Sequence, residues 1–128
     1  MRVISLDVGS VRTGYAFGDT DLGVALCRKD VILSSNLIQF LEREFYSNPF
    51  EMILVGIPKN RDNKETEVTV LVNKMIVLIQ TKFPHIKINK INERLTSKLA
   101  AKNIGNDKYL DNEAARIMLQ EWLNSNGF

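Results

Sequence analysis

The sequence predicts an α/β domain in which helices cover the faces of a mixed β-sheet. Three observations support this fold class: short strand-like runs follow one another at the start of the chain, two more apolar strands come later, and helical periodicity separates and follows them. Consecutive short strands favour an antiparallel meander, whereas strands separated by helices favour right-handed crossovers. The predicted order is three strands, helix, strand, helix, strand and helices.

The strands are predicted from apolar runs and from the turns that end them. The first run lies within residues 1–10 and contains one carboxylate, Asp7, and the next two are short and joined by a polar turn. The fourth is apolar throughout, which is typical of a central strand buried on both faces. The fifth alternates between apolar and polar residues. The last four runs are residues 14–18, 23–27, 52–55 and 86–91.

The helices are predicted from apolar residues that recur three and four positions apart. We expect Ser34 or Ser35 to cap the first helix, and Pro84 to follow the end of the second. The predicted helices are one that starts at residue 36 and is ended by Asn48-Pro49, residues 67–83, a short helix between Thr96 and Gly105, and a last helix that begins between residues 107 and 111.

Length and composition favour one globular domain over residues 1–128. With 45% hydrophobic and 25% charged residues the chain is neither disordered nor fibrous, and its net charge of +2 permits a nucleic-acid partner without requiring one. Cys27 is the one cysteine, which excludes an internal disulfide and a zinc site built from cysteines. No signal peptide or long apolar run is recognisable, so we expect a cytoplasmic protein that does not enter a membrane.

Asp7 is unusual because it interrupts an apolar strand that is expected to be buried. An unpaired charge in such a place costs several kcal/mol, so a cation, a cluster of backbone amides or a metal ion must compensate it. Gly9 permits a positive φ beside it, and Gly14 allows another backbone or a substrate phosphate to come close. The alternative is an aspartate that only forms a turn at the end of the strand.

Three acidic residues are expected at the ends of elements that can lie side by side: Asp7, Glu93 and Asp111. If they meet, protons or a hard divalent cation such as Mg²⁺ or Mn²⁺ must relieve their repulsion. Two such ions on shared carboxylates support phosphodiester hydrolysis. As alternatives, Asp111 is an ordinary helix cap and Glu93 forms a surface ion pair with Arg94.

Four motifs, in order along the chain, resemble those of the YqgF family, the Holliday-junction-resolvase-like proteins assigned to pre-16S ribosomal RNA processing. They are Leu6-Asp7-Val8-Gly9 with Gly14, Val55-Gly56-Ile57-Pro58-Lys59-Asn60, Glu93-Arg94-Leu95-Thr96, and Asp111 followed by Ala114-Ala115 and Leu119-Gln120. The resemblance implies a ribonuclease H-like fold with a five-stranded mixed sheet, its first three strands antiparallel and helices on both faces.

The resemblance also implies a divalent-metal-dependent endonuclease that processes the 5′ end of pre-16S rRNA. Asp7, Glu93 and Asp111 would be its catalytic residues and the ligands of one or two Mg²⁺ or Mn²⁺ ions. Related resolvases have a fourth acid where this chain has Ala114, so a second ion is expected only together with substrate. The substrate-binding residues would be Lys59, Asn60, Arg61, Lys64, Arg94 and Thr96.

Two features of the sequence depart from the family pattern, one at a single position and one in a loop. Asn92 stands where the family usually has Asp, which removes that acid or reduces its role to hydrogen bonding. The loop of residues 60–66 lacks the usual glycines, so its basic side chains would have to replace close backbone contact with phosphate; a solvated charged loop is the alternative.

Two other functions remain open from the sequence. A resolvase of branched DNA would need a stable two-fold dimer, whereas we expect a monomer or a weak homodimer. A non-catalytic module that binds RNA or the ribosome is the second alternative, favoured by the missing acid at Asn92. A nucleotide-binding relative of the actin-like ATPases is disfavoured because 128 residues cannot include the second lobe.

Overall fold

A computed structural model describes residues 1–30, 32–58, 66–93 and 110–128 of the protein, with the backbone alone for residues 93 and 110. Within these residues six strands and three α-helices are present. The strands are β1 (Arg2–Val8), β2 (Arg12–Asp19), β3 (Val24–Leu26), β4 (Ile32–Leu33), β5 (Met52–Pro58) and β6 (Lys87–Glu93). The helices are α1 (Leu37–Ser47), α2 (Glu67–Lys82) and α3 (Leu110–Ser125).

The strands form one mixed sheet in the order β3-β2-β1-β5-β6. β1 is antiparallel to β2 and parallel to β5, and β5 is parallel to β6. The predicted five-stranded sheet with an antiparallel start is therefore confirmed, and the short β4 adds an antiparallel pair to the beginning of β2. Because β1, β5 and β6 are parallel, their carboxyl ends lie at the same edge of the sheet.

The two faces of the sheet carry separate hydrophobic cores, because successive strand residues point to opposite sides. On one face Ile4, Leu6 and Ile53 pack with residues of α1 and α2. On the other face Val3 and Leu54 pack with apolar residues of α3. β5 is buried on both faces, as its continuous apolar sequence predicts.

The ends of the helices show one cap that was not predicted from the sequence and contradict one that was. Thr66 caps α2, because its side chain accepts a hydrogen bond from the backbone of Thr69 at 3.3 Å. The prediction that Ser34 or Ser35 caps α1 is wrong: Asn36 is at the cap, without a side-chain cap bond, and the Ser34 hydroxyl instead donates to the carbonyl of Gly9 at 2.7 Å.

Two further expectations concern the rest of the chain. The predicted short helix between Thr96 and Gly105 lies outside the described residues. In the part of the chain that the structure describes, no helix is both long enough and apolar enough to cross a membrane.

Candidate active site

Asp7 is a carboxylate inside the central strand of the sheet. Its backbone pairs with Gly14 across β1 and β2, and the residue is 7% exposed. It shares a face with Val3 and Ser5, which is the face covered by α3. Asp7 therefore lies within the strand, one residue before its end, and is buried. The cost of burying its charge is lowest when a cation or hydrogen-bond donors compensate it.

Gly14, the cross-strand neighbour of Asp7, lets α3 approach the sheet closely. A Cβ atom at this position would lie 1.9 Å from the carbonyl oxygen of Asp111, which is far inside van der Waals contact. Of the two roles predicted for Gly14, the structure shows close contact with another backbone. This contact brings the start of α3 to the strand position directly beside Asp7.

Gly9 has a different role from the one its sequence position predicts. Its φ is not positive, so the left-handed conformation that a glycine permits is not adopted here. A Cβ atom at this position would instead lie 2.5 Å from the carbonyl oxygen of Arg12, to which the Gly9 amide donates a 3.0 Å hydrogen bond. The glycine therefore allows a tight turn between β1 and β2 through lack of bulk.

Asp111 lies in the first turn of α3, and its backbone packs on Gly14, the cross-strand neighbour of Asp7. Since Leu110 is already helical, Asp111 is not the helix cap, and that alternative is wrong. Its Oδ2 is 3.2 Å from Nε of Arg12, and the two side chains are 38% and 48% exposed. A carboxylate in the first turn is also favoured by the helix dipole. Arg12 was not among the residues predicted from the sequence.

Asn112 fixes the start of α3 against β2 and against the segment after β3. It is 2% exposed, and its side chain makes three hydrogen bonds. Oδ1 accepts from the amide of Tyr15 at 2.9 Å, and Nδ2 donates to the carbonyls of Arg28 at 2.9 Å and Asp30 at 2.8 Å. Both polar atoms of this buried side-chain amide therefore have hydrogen-bond partners, and these bonds hold the start of α3, with Asp111, in place.

Glu113 is the next acidic residue on α3, and its carboxylate is engaged by other side chains. Its carboxylate pairs with Arg116 and lies 3.5 Å from Sγ of Cys27. The Arg116 hydrogen bond holds the pKa of Glu113 below its usual range, while burial and this carboxylate raise the pKa of the Cys27 thiol. Ala114, where related resolvases have an acid, is buried. Glu113 therefore does not replace the fourth acid.

The backbone of Glu93 pairs with Pro58 at the carboxyl ends of β6 and β5. It thus lies at the same sheet edge as Asp7, and its side chain is outside the described part. Asn92, the departure from the family pattern, is exposed and pairs with Ile57 of the α1/α2 face. Because paired residues share a face, Asn92 lies opposite to Asp7 and cannot join it.

The remaining predicted residues are not described by the structure. They are Lys59, Asn60, Arg61, Lys64, Arg94 and Thr96. Among the described side chains no group of three His, Cys, Asp or Glu residues could hold a metal ion. The structure brings Asp7 and Asp111 to one face of the sheet, so the expected three-acid set with Glu93 stays a prediction.

The architecture defines the class of the protein as a resolvase-like α/β fold of the ribonuclease H type. The Holliday junction resolvase of fowlpox virus, solved in complex with its junction DNA, superimposes with a TM-score of 0.62 at 14% identity, covering 100% of both chains. The same resolvase solved in a second structure gives a TM-score of 0.60 at 13% identity, covering 98% of this chain and 99% of that one.

Sequence comparisons identify the family. A model described as "RuvX: Holliday junction resolvase" matches residues 1–125, so the chain belongs to the RuvX family, also called YqgF, as its motifs predict. A protein of Flavobacterium johnsoniae is 31% identical over 99% of each chain, and one of Christiangramia forsetii is 33% identical over 95% of this chain and 97% of that protein. Both are named "Putative pre-16S rRNA nuclease".

Proposed function

We propose that this protein is a divalent-metal-dependent endonuclease that cleaves pre-16S rRNA near its 5′ end. The observation that carries the proposal is the buried carboxylate of Asp7 beside Gly14, on which the backbone of Asp111 packs. The family and the names of its relatives support the substrate. A buried acid next to a second acid on an adjacent element is also the kind of cluster from which metal-assisted hydrolysis is built.

The donor set fits a hard cation. In the proposed site Asp7 and Asp111 supply carboxylate oxygens. The backbone of Glu93 lies at the same edge of the sheet, so Glu93 is proposed as the third ligand. Oxygen ligands suit Mg²⁺ or Mn²⁺, whereas the chain has no cysteine–histidine cluster in its sequence for a softer ion. A divalent ion held there would supply activation of a water and stabilisation of the leaving oxygen of a phosphodiester.

Contacts between α3 and the sheet hold together the elements that carry Asp7 and Asp111. The Ser5 hydroxyl, two residues before Asp7, donates to the carbonyl of Ala115 on α3 at 2.9 Å. Together with the contact at Gly14 and the three bonds of Asn112, this bond ties α3 to β1 and β2. Rigid placement of ligands on strands and helices, rather than on loops, favours a defined coordination geometry.

Substrate binding is assigned to the residues that follow the ends of β5 and β6 in the chain. They come directly after Pro58 and Glu93, which pair with each other at the sheet edge where Asp7 lies. Their positive and hydrogen-bonding side chains suit phosphate groups. These residues are Lys59, Asn60, Arg61, Lys64, Arg94 and Thr96.

Replacing Asp7 tests the proposed chemistry. We expect Asp7→Asn to reduce cleavage of an RNA spanning the 5′ end of 16S rRNA by at least ~100-fold with Mg²⁺ or Mn²⁺, because the amide removes the charge that holds the cation. Asp21→Asn is the control, since Asp21 is 87% exposed and contacts the N-terminal amine. Full cleavage by a purified Asp7→Asn protein would remove the mechanism.

Cleavage of branched DNA is the second candidate, favoured by the description of the family and by the fold of the fowlpox resolvase. Supplying the same preparation with the precursor RNA and with a four-way DNA junction separates the two. We expect the RNA to be cut and the protein to run as a monomer or weak dimer. Paired, symmetric cuts in the junction by a stable two-fold dimer would instead favour the resolvase.

A further inference from the structure

Arg12 is a cation that already contacts one of the proposed metal ligands. It lies two residues before Gly14 on β2, so the two residues share the face that carries Asp7 and α3. Its Nε is 3.2 Å from Oδ2 of Asp111. Both side chains are partly exposed, Arg12 at 48% and Asp111 at 38%, so the ion pair is accessible from solvent.

The backbone of Arg12 is held on one side by a 3.0 Å hydrogen bond from the Gly9 amide to its carbonyl, and on the other side by β4. It pairs with Leu33 of β4, and the Ser34 amide donates to the carbonyl of Val11 at 2.8 Å. The Ser34 hydroxyl also bonds the carbonyl of Gly9. Because the backbone is anchored in this way, a change of partner by Arg12 needs only rotation of its side chain.

Metal binding by Asp111 would weaken its ion pair with Arg12. A divalent ion at the Asp111 carboxylate adds positive charge beside the guanidinium, so the net attraction between Asp111 and Arg12 falls. The same planar guanidinium binds phosphate as well as carboxylate. In the proposed reaction the phosphodiester to be cut lies next to the metal ion. Because Arg12 lies beside the same carboxylate, its guanidinium would be near that phosphate.

From these contacts we infer that Arg12 is a phosphate-binding residue whose counter-ion in the metal-free protein is Asp111. When a divalent cation takes Asp111, Arg12 turns to a phosphate of the nucleic acid. This inference rests on the proposed function and adds to it a residue that couples metal binding to substrate binding. An exposed ion pair is weak, so the exchange needs little energy.

The first test measures metal binding without any turnover. Calorimetric titration with Mn²⁺ in the absence of RNA is expected to show about 2- to 5-fold tighter binding for Arg12→Gln than for the unmodified protein, because the competing guanidinium is gone. Arg43→Gln is the matched control: it removes the same charge from α1, on the opposite face of the sheet. Unchanged or weaker Mn²⁺ binding by Arg12→Gln would overturn the counter-ion role.

The second test measures the phosphate contact. Affinity for the precursor RNA is recorded against salt concentration with Ca²⁺, which takes the same oxygen ligands as Mg²⁺, and with EDTA. Arg12→Gln is expected to lower the slope of log K against log salt by about 0.7–0.9 with Ca²⁺ and to leave it unchanged with EDTA. Arg12→Lys should restore the slope. Equal slopes for both proteins in Ca²⁺ would overturn the phosphate role.

These outcomes are distinct from failure of the proposed function. If the unmodified protein binds no Mn²⁺ with or without RNA, the metal-dependent nuclease itself is wrong. If it binds Mn²⁺, loses that binding in Asp7→Asn, and responds to Arg12→Gln no more than to Arg43→Gln, the nuclease stands and the role of Arg12 is wrong.

Discussion

The separation between β2 and α3 is set at Gly14, where the strand contacts the helix backbone of Asp111. A second glycine on the same face, Gly18, lies under the side chain of Leu119. The two positions look alike in sequence, but the first contacts rigid backbone and the second contacts a side chain that can rotate. The same substitution should therefore have different effects at the two sites.

Gly14→Ala is expected to destabilise the protein by roughly 2–4 kcal/mol and to reduce RNA cleavage strongly, because the new methyl group forces α3 and Asp111 away from Asp7. Gly18→Ala should cost about 1 kcal/mol and keep most of the activity, because Leu119 can move. Urea denaturation of both variants, with nuclease assays below their transitions, checks the difference. Equal losses would show that the backbone contact at Gly14 is not the cause.

The role of a single residue could be predicted from the sequence where that residue by itself departs from the pattern around it. The close approach at Gly14 follows from a glycine in a strand, and Asp7 stands out as a charge in an apolar run. Arg12 and Asn112 were not foreseen, because a basic residue at the start of a strand and an amide in a helix are common on surfaces. Their roles come from long-range contacts with Asp111 and with the segment after β3.

At the scale of elements, the segment that follows β3 is held by side chains from two other elements. Asn112 of α3 bonds its carbonyls, and the hydroxyl of Tyr15 on β2 donates to the carboxylate of Asp30. Burial and this carboxylate both raise the pKa of Tyr15 well above its usual range. The neutral phenol is thus the form that the folded protein favours.

This shift predicts how stability depends on pH. Because the folded-state pKa of Tyr15 is higher than the unfolded value of about 10, its contribution is complete below pH 10 and is lost as the pH rises toward the folded value. Tyr15→Phe should cost about 1–2 kcal/mol at pH 7 and show a smaller decline between pH 10 and 11. Denaturation curves across this range check it; parallel declines in both proteins would contradict it.

Helix and strand positions were well predicted where the periodicity was long. The i, i+3, i+4 pattern places the start of α2 at Glu67, as observed, and the last helix begins within the predicted window. β4 was missed because its two residues are too few to show a pattern. The cap of α1 was wrong because Ser34 bonds Gly9, a residue distant in sequence, instead of its own helix.

For the whole molecule, the parallel arrangement of β1, β5 and β6 places their carboxyl ends at one edge. The fold was predictable because the order of elements restricts the topology to few choices. The contact of α3 with the strand position beside Asp7 could not be predicted, since it depends on how the last helix crosses strands formed by the first residues of the chain. Packing of that kind is decided by complementary shape along the whole interface, here by small residues on β2 and α3.

Metal binding should stabilise the whole fold, because the proposed ligands belong to elements from both ends of the chain. At a Mg²⁺ concentration about 100 times the Kd, we expect a rise of roughly 10 °C in Tm relative to EDTA. Asp7→Asn should lose this rise and Asp21→Asn should keep it. Absence of any rise in the unmodified protein, with RNA also present, would favour the non-catalytic RNA- or ribosome-binding module.

The proposed site lies on one face of the sheet only, and this has a practical consequence. α1 and α2 cover the face opposite Asp7, and on α2 the side chains of Val77 and Leu78 are exposed. A fluorophore or a surface linker attached at Val77 would therefore lie on the face of the sheet opposite Asp7. Polar replacements at Val77 and Leu78 would reduce the exposed apolar area on this face and leave the face that carries Asp7 unchanged.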